Sequence, residues 1–137
     1  MRKTCLYFAR GDVGTMGIQL PHDHGETISK MLEKIPNEES FIEAAEIFGH
    51  LSDATRLRIL WLLCHCEECV TNIATAVQMS DSAVSHHLRI LKKSGLLKSR
   101  RVGKEVHYTL AATEEARLVH RMVDDVFEMS CPNLGLR

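Results

Sequence analysis

The sequence predicts a mainly α-helical chain carrying one small β-hairpin, an α+β fold. Three observations lead there. Residues 80–94 read as a helix opened by a polar residue and closed by a glycine, residues 97–110 read as two short strands around a tight turn, and apolar residues elsewhere recur at helical spacing. Ser80 or Asp81 suits the free N–H groups at the helix start, and Gly95 suits a left-handed residue just past its end. Val84, Leu88 and Leu91 recur on one side and are expected in a core. Ser82, Ser85, His86, Arg89 and Lys93 fall largely on the other side, which is rich in hydrogen-bond donors. Leu97 to Arg101, Val102-Gly103-Lys104 and Glu105 to Leu110 then read as strand, turn and strand.

The remaining elements follow in chain order. Residues 1 to about 20 carry Gly11, Gly14 and Gly17 without periodicity and are expected to form a flexible arm, with a single domain over 21–137. Ile28, Met31, Leu32 and Ile35 keep helical spacing from Glu26 until Pro36 stops it. Asn37 caps a second helix with Phe41, Ala44, Ala45, Phe48 and Leu51 inward. Asp53 caps a third, in which Leu57, Ile59, Leu60, Leu62 and Leu63 are apolar over a wide arc. Val70 to Val77 forms a short helix, and Gln78-Met79-Ser80 turns into the helix at 82–94. Thr113 caps a last helix to about Ser130, whose pairs Leu118/Val119, Met122/Val123 and Val126/Phe127 make a stripe that wants a partner.

Charge is informative once it is mapped. The chain's formal charge is −1, yet residues 80–110 hold seven Lys/Arg against Asp81 and Glu105, a local +5 that leaves −6 elsewhere. A basic patch on an acidic remainder favours phosphate locally and limits non-specific binding. The donor-rich helix fits a major groove, and the hairpin can track phosphates beside it. The expected contacts are Ser82, Ser85, His86, Arg89, Lys93, Arg100, Arg101 and Lys104. At 137 residues and 45% hydrophobic content the chain suits one domain with a core. No apolar run reads as a signal peptide or membrane span, and five cysteines, with Cys64, Cys66 and Cys69 crowded, suit thiols in a reducing cytoplasm. A phosphate-binding glycine loop, a G-x-S-x-G elbow and an H-E-x-x-H helix are all missing, so no enzyme is expected.

The stretches LSDATRLRIL (51–60), ECVTNIA (68–74), SAVSHHLRILKKSGLL (82–97) and RRVGKEVHYTL (100–110) closely resemble the ArsR/SmtB family of metal-responsive winged helix-turn-helix repressors. The resemblance implies reading helices at about 70–77 and 82–94, a wing at about 97–110 and a dimer helix at about 113–130. It implies a homodimer through N- and C-terminal helices, with Leu118, Met122 and Val126 at the interface. An operator of double-stranded DNA, an imperfect inverted repeat, is the expected partner. The expected effector is a transition or heavy metal ion such as Zn(II), Cd(II) or As(III).

Three groups could sense it. Cys64, Cys66 and Cys69 place three thiols within six residues, which suits soft or borderline ions, with Cys66 and Cys69 the expected ligands. The family's ELCVCD pair of cysteines is here Glu68-Cys69-Val70-Thr71-Asn72, with Thr71 at the second position. His22 and His24 flank Asp23 before the first helix; they read either as ligands or as solvated residues beside a cap. His120, Asp124 and Cys131 share a face of the last helix, and His120 approaches Cys131 only across an antiparallel dimer. The family's interfacial zinc positions fall on Ala112, Glu114, Asp125 and Glu128, none of them a histidine. Two other readings stay open on the same residues. One is a thiol or sulfur-species switch using Cys66 with Cys69, or Cys5 with Cys131; the other is a zinc-stabilised interaction module that reads no DNA.

Overall fold

The computed structural model describes residues 19–22 and 24–127. The expected arm lies outside the described residues up to position 18, as do Asp23, Glu128 and Cys131. The chain divides into two compact units, 1–46 and 47–137.

In the first unit, α1 (Glu26–Leu32) ends three residues short of the expected Ile35. Pro36 disfavours helical backbone at Ile35. The chain instead tightens, Lys34 N–H meeting the Met31 carbonyl at 3.0 Å. Asn37 opens α2 (Glu38–Leu51), whose residues from Ile47 on belong to the second unit; its Oδ1 accepts from the Ser40 N–H at 2.9 Å and the Ser40 hydroxyl at 2.6 Å. This pairing lets a serine be the buried residue of α2. The expected inward set of that helix needs correction: Phe41 and Phe48 are 52% and 56% exposed, and Ala45 is also exposed. Ile28 and Met31 of α1 are exposed as well. Helical spacing fixes which residues share a side, not whether the same chain supplies a cover.

The second unit contains α3 (Ala54–His65), β1 (Glu68–Cys69), α4 (Val70–Val77), α5 (Asp81–Lys93), β2 (Leu97–Val102), β3 (Glu105–Leu110) and α6 (Glu114–Val126). Ile59, Leu60 and Leu63 of α3, Ile73 of α4, Val84, Leu88 and Leu91 of α5, Leu96, and Val119 of α6 are almost fully buried in one cluster. Leu57 and Leu62 sit half-buried at its margin. Polar caps start three of the helices. Asp53 Oδ1 accepts from the Arg56 N–H at 2.8 Å, which holds its carboxyl below the ordinary value. Ser80 Oγ and Thr113 Oγ1 each accept from a backbone N–H three residues on at 3.2 Å.

The end of α5 sets the direction of everything after it. Ser94 is the last near-helical residue, and Gly95 turns left-handed at φ 82°. Gly95 N–H reaches the Lys92 carbonyl and Leu96 N–H the Leu91 carbonyl, both at 3.1 Å, so the helix closes in a Schellman motif. Buried Leu96 follows Gly95 directly into β2. β2 and β3 pair antiparallel, Leu97 opposite Leu110 and Arg100 opposite His107, around a two-residue turn whose Gly103 has φ 61°. The sheet has a third strand beyond the expected hairpin. β1 pairs with β3, Glu68 opposite Tyr108 and Cys69 opposite His107, giving the order β1-β3-β2. Two residues are too few for an alternating pattern.

Nothing lies within 4 Å of where a Cβ on Gly95 would stand, so any penalty for a side chain there is conformational. Gly95→Ala is expected to lower unfolding free energy by about 1–2 kcal/mol in urea titrations. Gly95→Asn is expected to recover part of it, since asparagine tolerates the left-handed region.

Candidate nucleic-acid interface

α4 and α5 form a helix-turn-helix pair. Gln78 takes a left-handed conformation at φ 57°, and its N–H and that of Met79 close α4 on the Thr75 and Ala74 carbonyls. Thr71 Oγ1 donates to Asp81 Oδ2 at 2.9 Å, tying the first turns of the two helices together. Arg58 on α3 reaches the Val77 carbonyl at 3.4 Å.

The two sides of α5 separate cleanly. Val84, Leu88 and Leu91 are fully buried, while Ser82, His86, Arg89 and Lys93 are exposed and Ser85 is half-buried. The buried side fixes the helix against α4 and β2 and leaves the donors outside. Arg89 Nε donates to the Ser85 carbonyl at 3.3 Å, which lays its side chain along the helix. Lys92 Nζ donates to Ser99 Oγ at 2.7 Å and bridges the end of α5 to β2.

Arg100, Arg101 and Lys104 are all exposed on the hairpin, but they are not equivalent. Arg101 Nε donates to the Gly103 carbonyl at 3.2 Å. Arg100 Nε donates to Glu67 Oε1 at 2.8 Å, an ion pair across the sheet to the segment before β1. The guanidinium holds the Glu67 carboxyl below its ordinary value, chiefly through that hydrogen bond. His107 adds a contact to Glu105 at 2.9 Å and lies 3.8 Å from Glu67.

The expected metal ligands are dispersed. His22 and His24 are exposed, with ring centroids 6.0 Å apart. Cys66 ends α3, is exposed, and its thiol donates to the Leu62 carbonyl at 3.3 Å. Partial desolvation and the nearby Glu68 carboxylate raise the Cys66 thiol above its ordinary value, which disfavours the thiolate. Cys69 is buried at the start of α4. Among the described residues neither cysteine belongs to a cluster of three donors. His120 is buried on α6 beside Asp124, with His65 of α3 facing them both. The sequence groups His65 with the cysteines and shows Asp124 only as a neighbour of His120 on the helix face. The i, i+4 spacing of His120 and Asp124 is local, whereas the third member comes from 59 residues away.

A helix-turn-helix pair with an outward donor face and a basic hairpin behind it defines a winged helix-turn-helix protein. The family described as bacterial regulatory protein, arsR family, matches residues 53–99. A transcriptional repressor SmtB homolog from Synechocystis is 37% identical over 108 residues, 79% of this chain and 82% of the relative. A cadmium resistance transcriptional regulatory protein CadC homolog from Staphylococcus aureus is 38% identical over 81 residues, 58% of this chain and 67% of the relative. The homodimeric winged helix-turn-helix DNA-binding domain of a possible ArsR-family transcriptional regulator from Mycobacterium bovis aligns with TM-score 0.55 and 30% identity, over 78% of this chain and 90% of that one. The chain belongs to the ArsR/SmtB family, whose members are transcription regulators and not enzymes. Among the described residues no helix is long and apolar enough to cross a membrane.

The Arg100–Glu67 pair has a measurable signature. Because the folded-state carboxyl is shifted down, its contribution is present above the ordinary glutamate range and is lost as pH falls through the lowered folded value. In an NMR titration the Glu67 side chain is expected to protonate below free glutamate, and to return towards the ordinary value in Arg100→Ala.

Proposed function

We propose that the protein is a homodimeric repressor that holds a double-stranded operator and releases it when a transition or heavy metal ion binds. The observation that carries the DNA reading is the division of α5, buried through Val84, Leu88 and Leu91 and open through Ser82, Ser85, His86, Arg89 and Lys93. In this reading α5 enters the major groove, where Ser82, Ser85 and His86 meet base edges. Arg89, Lys93, Arg101 and Lys104 meet phosphates, and Arg100 joins them when it leaves Glu67. The relatives named as repressors and the homodimeric DNA-binding neighbour support the assignment.

Dimerisation is supported by apolar surface left open in the second unit. Val126 is 71% exposed, and Phe48, Leu51, Met122, Val126 and Phe127 line a groove of about 240 Å³. Leu118 and Met122 are half-buried, with more surface to lose against a partner. A twofold dimer presents two α5 helices to major-groove segments about 34 Å apart, so the operator is an imperfect inverted repeat. The metal effector is supported by the relative named for cadmium resistance and by the donors available on this chain: Cys66 and Cys69, His22 and His24, and His120 with Cys131.

Alanine at Arg89, Lys93, Arg101 or Lys104 is expected to weaken binding to a mapped operator and to reduce the log–log salt slope by about 0.9 for each phosphate no longer neutralised. Substituting Ser85 or His86 is expected to change base preference instead. Glu67→Gln frees Arg100 for phosphate, so it should tighten binding and steepen the slope by about the same amount. Wild-type behaviour in all of these variants refutes the DNA reading. Sedimentation at micromolar concentration is expected to show a dimer, and Met122→Asp with Val126→Asp a folded monomer.

A further inference from the structure

The end of α3 and the middle of α6 enclose a group of donors that the reading face does not use. His65 is the last residue of α3, and His120 and Asp124 stand one helical turn apart on α6. His120 and Asp124 are 7% and 4% exposed. His65 Nε2 lies 3.0 Å from Asp124 Oδ1, and His120 Nε2 lies 3.5 Å from Asp124 Oδ2. One ligand atom from each of the three residues falls within 4.8 Å of the others. The two imidazoles meet edge to face, centroids 5.5 Å apart. Both His120 Nε2 and Asp124 Oδ2 are shut off from solvent and have no hydrogen-bond partner. Buried polar atoms are rarely left so, and unpaired ones ask for an explanation.

The protons on these groups sharpen the point. His65 Nδ1 lies 2.6 Å from the Trp61 carbonyl, which can only accept, so that nitrogen carries the ring proton. The other ring nitrogen faces the Asp124 carboxylate at 3.0 Å. A second proton on His65 would satisfy one carboxylate oxygen and still leave His120 Nε2 and Asp124 Oδ2 unpaired. Two imidazole nitrogens and a carboxylate oxygen converge here, and one cation would satisfy all three. An Nδ1–H bonded to a backbone carbonyl is also how a metal-bound histidine is commonly held.

We propose that His65, His120 and Asp124 of a single protomer bind a divalent transition ion of borderline hardness, of the Zn(II) or Co(II) class, with solvent as a fourth ligand. Two imidazoles and one carboxylate suit these ions and offer nothing to As(III), which prefers thiolates. Zinc–ligand distances of about 2.0–2.2 Å place donors in a tetrahedral shell roughly 3.3 Å apart. The observed spacing therefore needs to contract by at most about 1.5 Å. The site is distinct from the cysteine turn and from any site shared between protomers, because all three ligands come from one chain. Its regulatory consequence rests on the proposed function as a metal-released repressor. The ion would draw α6 onto the end of α3, and α6 also carries Leu118, Met122 and Val126, the residues assigned to the dimer. An ion so placed shifts operator affinity only to the extent that its shell forms better in one dimer arrangement than in the other.

Titration of the full-length, metal-free protein with Co(II) tests the site. The expected result is one equivalent per protomer, with visible d–d bands of four-coordinate cobalt, no thiolate-to-cobalt charge transfer, and displacement by Zn(II). Asp124→Asn and His120→Gln are expected to weaken Co(II) binding by more than about 100-fold, the upper scale for loss of a mere outer-shell partner. His65→Gln, at the half-exposed edge, provides a third variant that leaves the buried pair untouched. Circular dichroism checks the fold of each, and Cys66→Ser with Cys69→Ser is expected to bind cobalt as the wild type does. No cobalt uptake, charge transfer that vanishes with the cysteines, or unchanged affinity in folded Asp124→Asn and His65→Gln would each overturn the site. Operator release separates the two levels. Zn(II) release that persists in Asp124→Asn removes the regulatory role of this site and leaves the metal-released reading standing. Cobalt held by these ligands without any change in operator affinity leaves the site and removes its regulatory role, whereas no operator release by Zn(II), Cd(II) or As(III) overturns the metal-released reading.

Discussion

Every surface assigned to the duplex hangs on the chain reversal at Gly95. The Schellman closure fixes how the chain leaves α5, and Leu96 then enters the core within one residue. Ala111 N–H returns to the Leu96 carbonyl at 2.9 Å, so the far end of the hairpin is fastened to the same spot. Thr113 Oγ1 accepts from Ala116 N–H and donates to the Gly95 carbonyl at 3.0 Å, tying the start of α6 there too. Reading helix, hairpin and last helix thus share one anchor a few residues long. Rotating the chain at Gly95 would move all three.

The acidic segment before β1 gives the hairpin a second attachment of a different kind. Glu67 holds Arg100, and Glu68 Oε2 accepts from the Cys69 N–H at 3.0 Å and the Asn72 amide at 2.8 Å. These carboxylates are half-buried at the surface, where such pairs add little to stability. Their effect is on geometry: they hold the cysteine turn, the start of α4 and the hairpin in one arrangement. The cysteines in that turn are therefore next to the hairpin without forming a donor cluster of their own among the described residues.

Features set by neighbours in sequence were legible in the chain. The caps at Asn37, Asp53, Ser80 and Thr113, the glycine at the end of α5 and the buried stripe of Val84, Leu88 and Leu91 need only local chemistry. The family match was legible for the same reason, since its motifs are contiguous. Features set by packing were not. Two residues of β1 carry no periodic signal, and its partner strand lies about forty residues on. The spacing in α2 marked Phe41 and Phe48 as apolar neighbours but not that both would stay open. The His65–Asp124 approach depends on where α6 crosses α3, so the sequence placed His120 opposite a residue of another protomer instead.

The strand order β1-β3-β2 leaves β2 at the rim of the sheet, with one row of backbone N–H and carbonyl groups open. Such an edge invites another strand to add to it, and charged side chains are a common deterrent. Lys98, Arg100 and Arg101 occupy this rim and are exposed. Their positive charge therefore has a second effect when no nucleic acid is present. It deters two copies from stitching their sheets edge to edge, so Arg100 and Arg101, proposed for the duplex, serve colloidal stability together with Lys98.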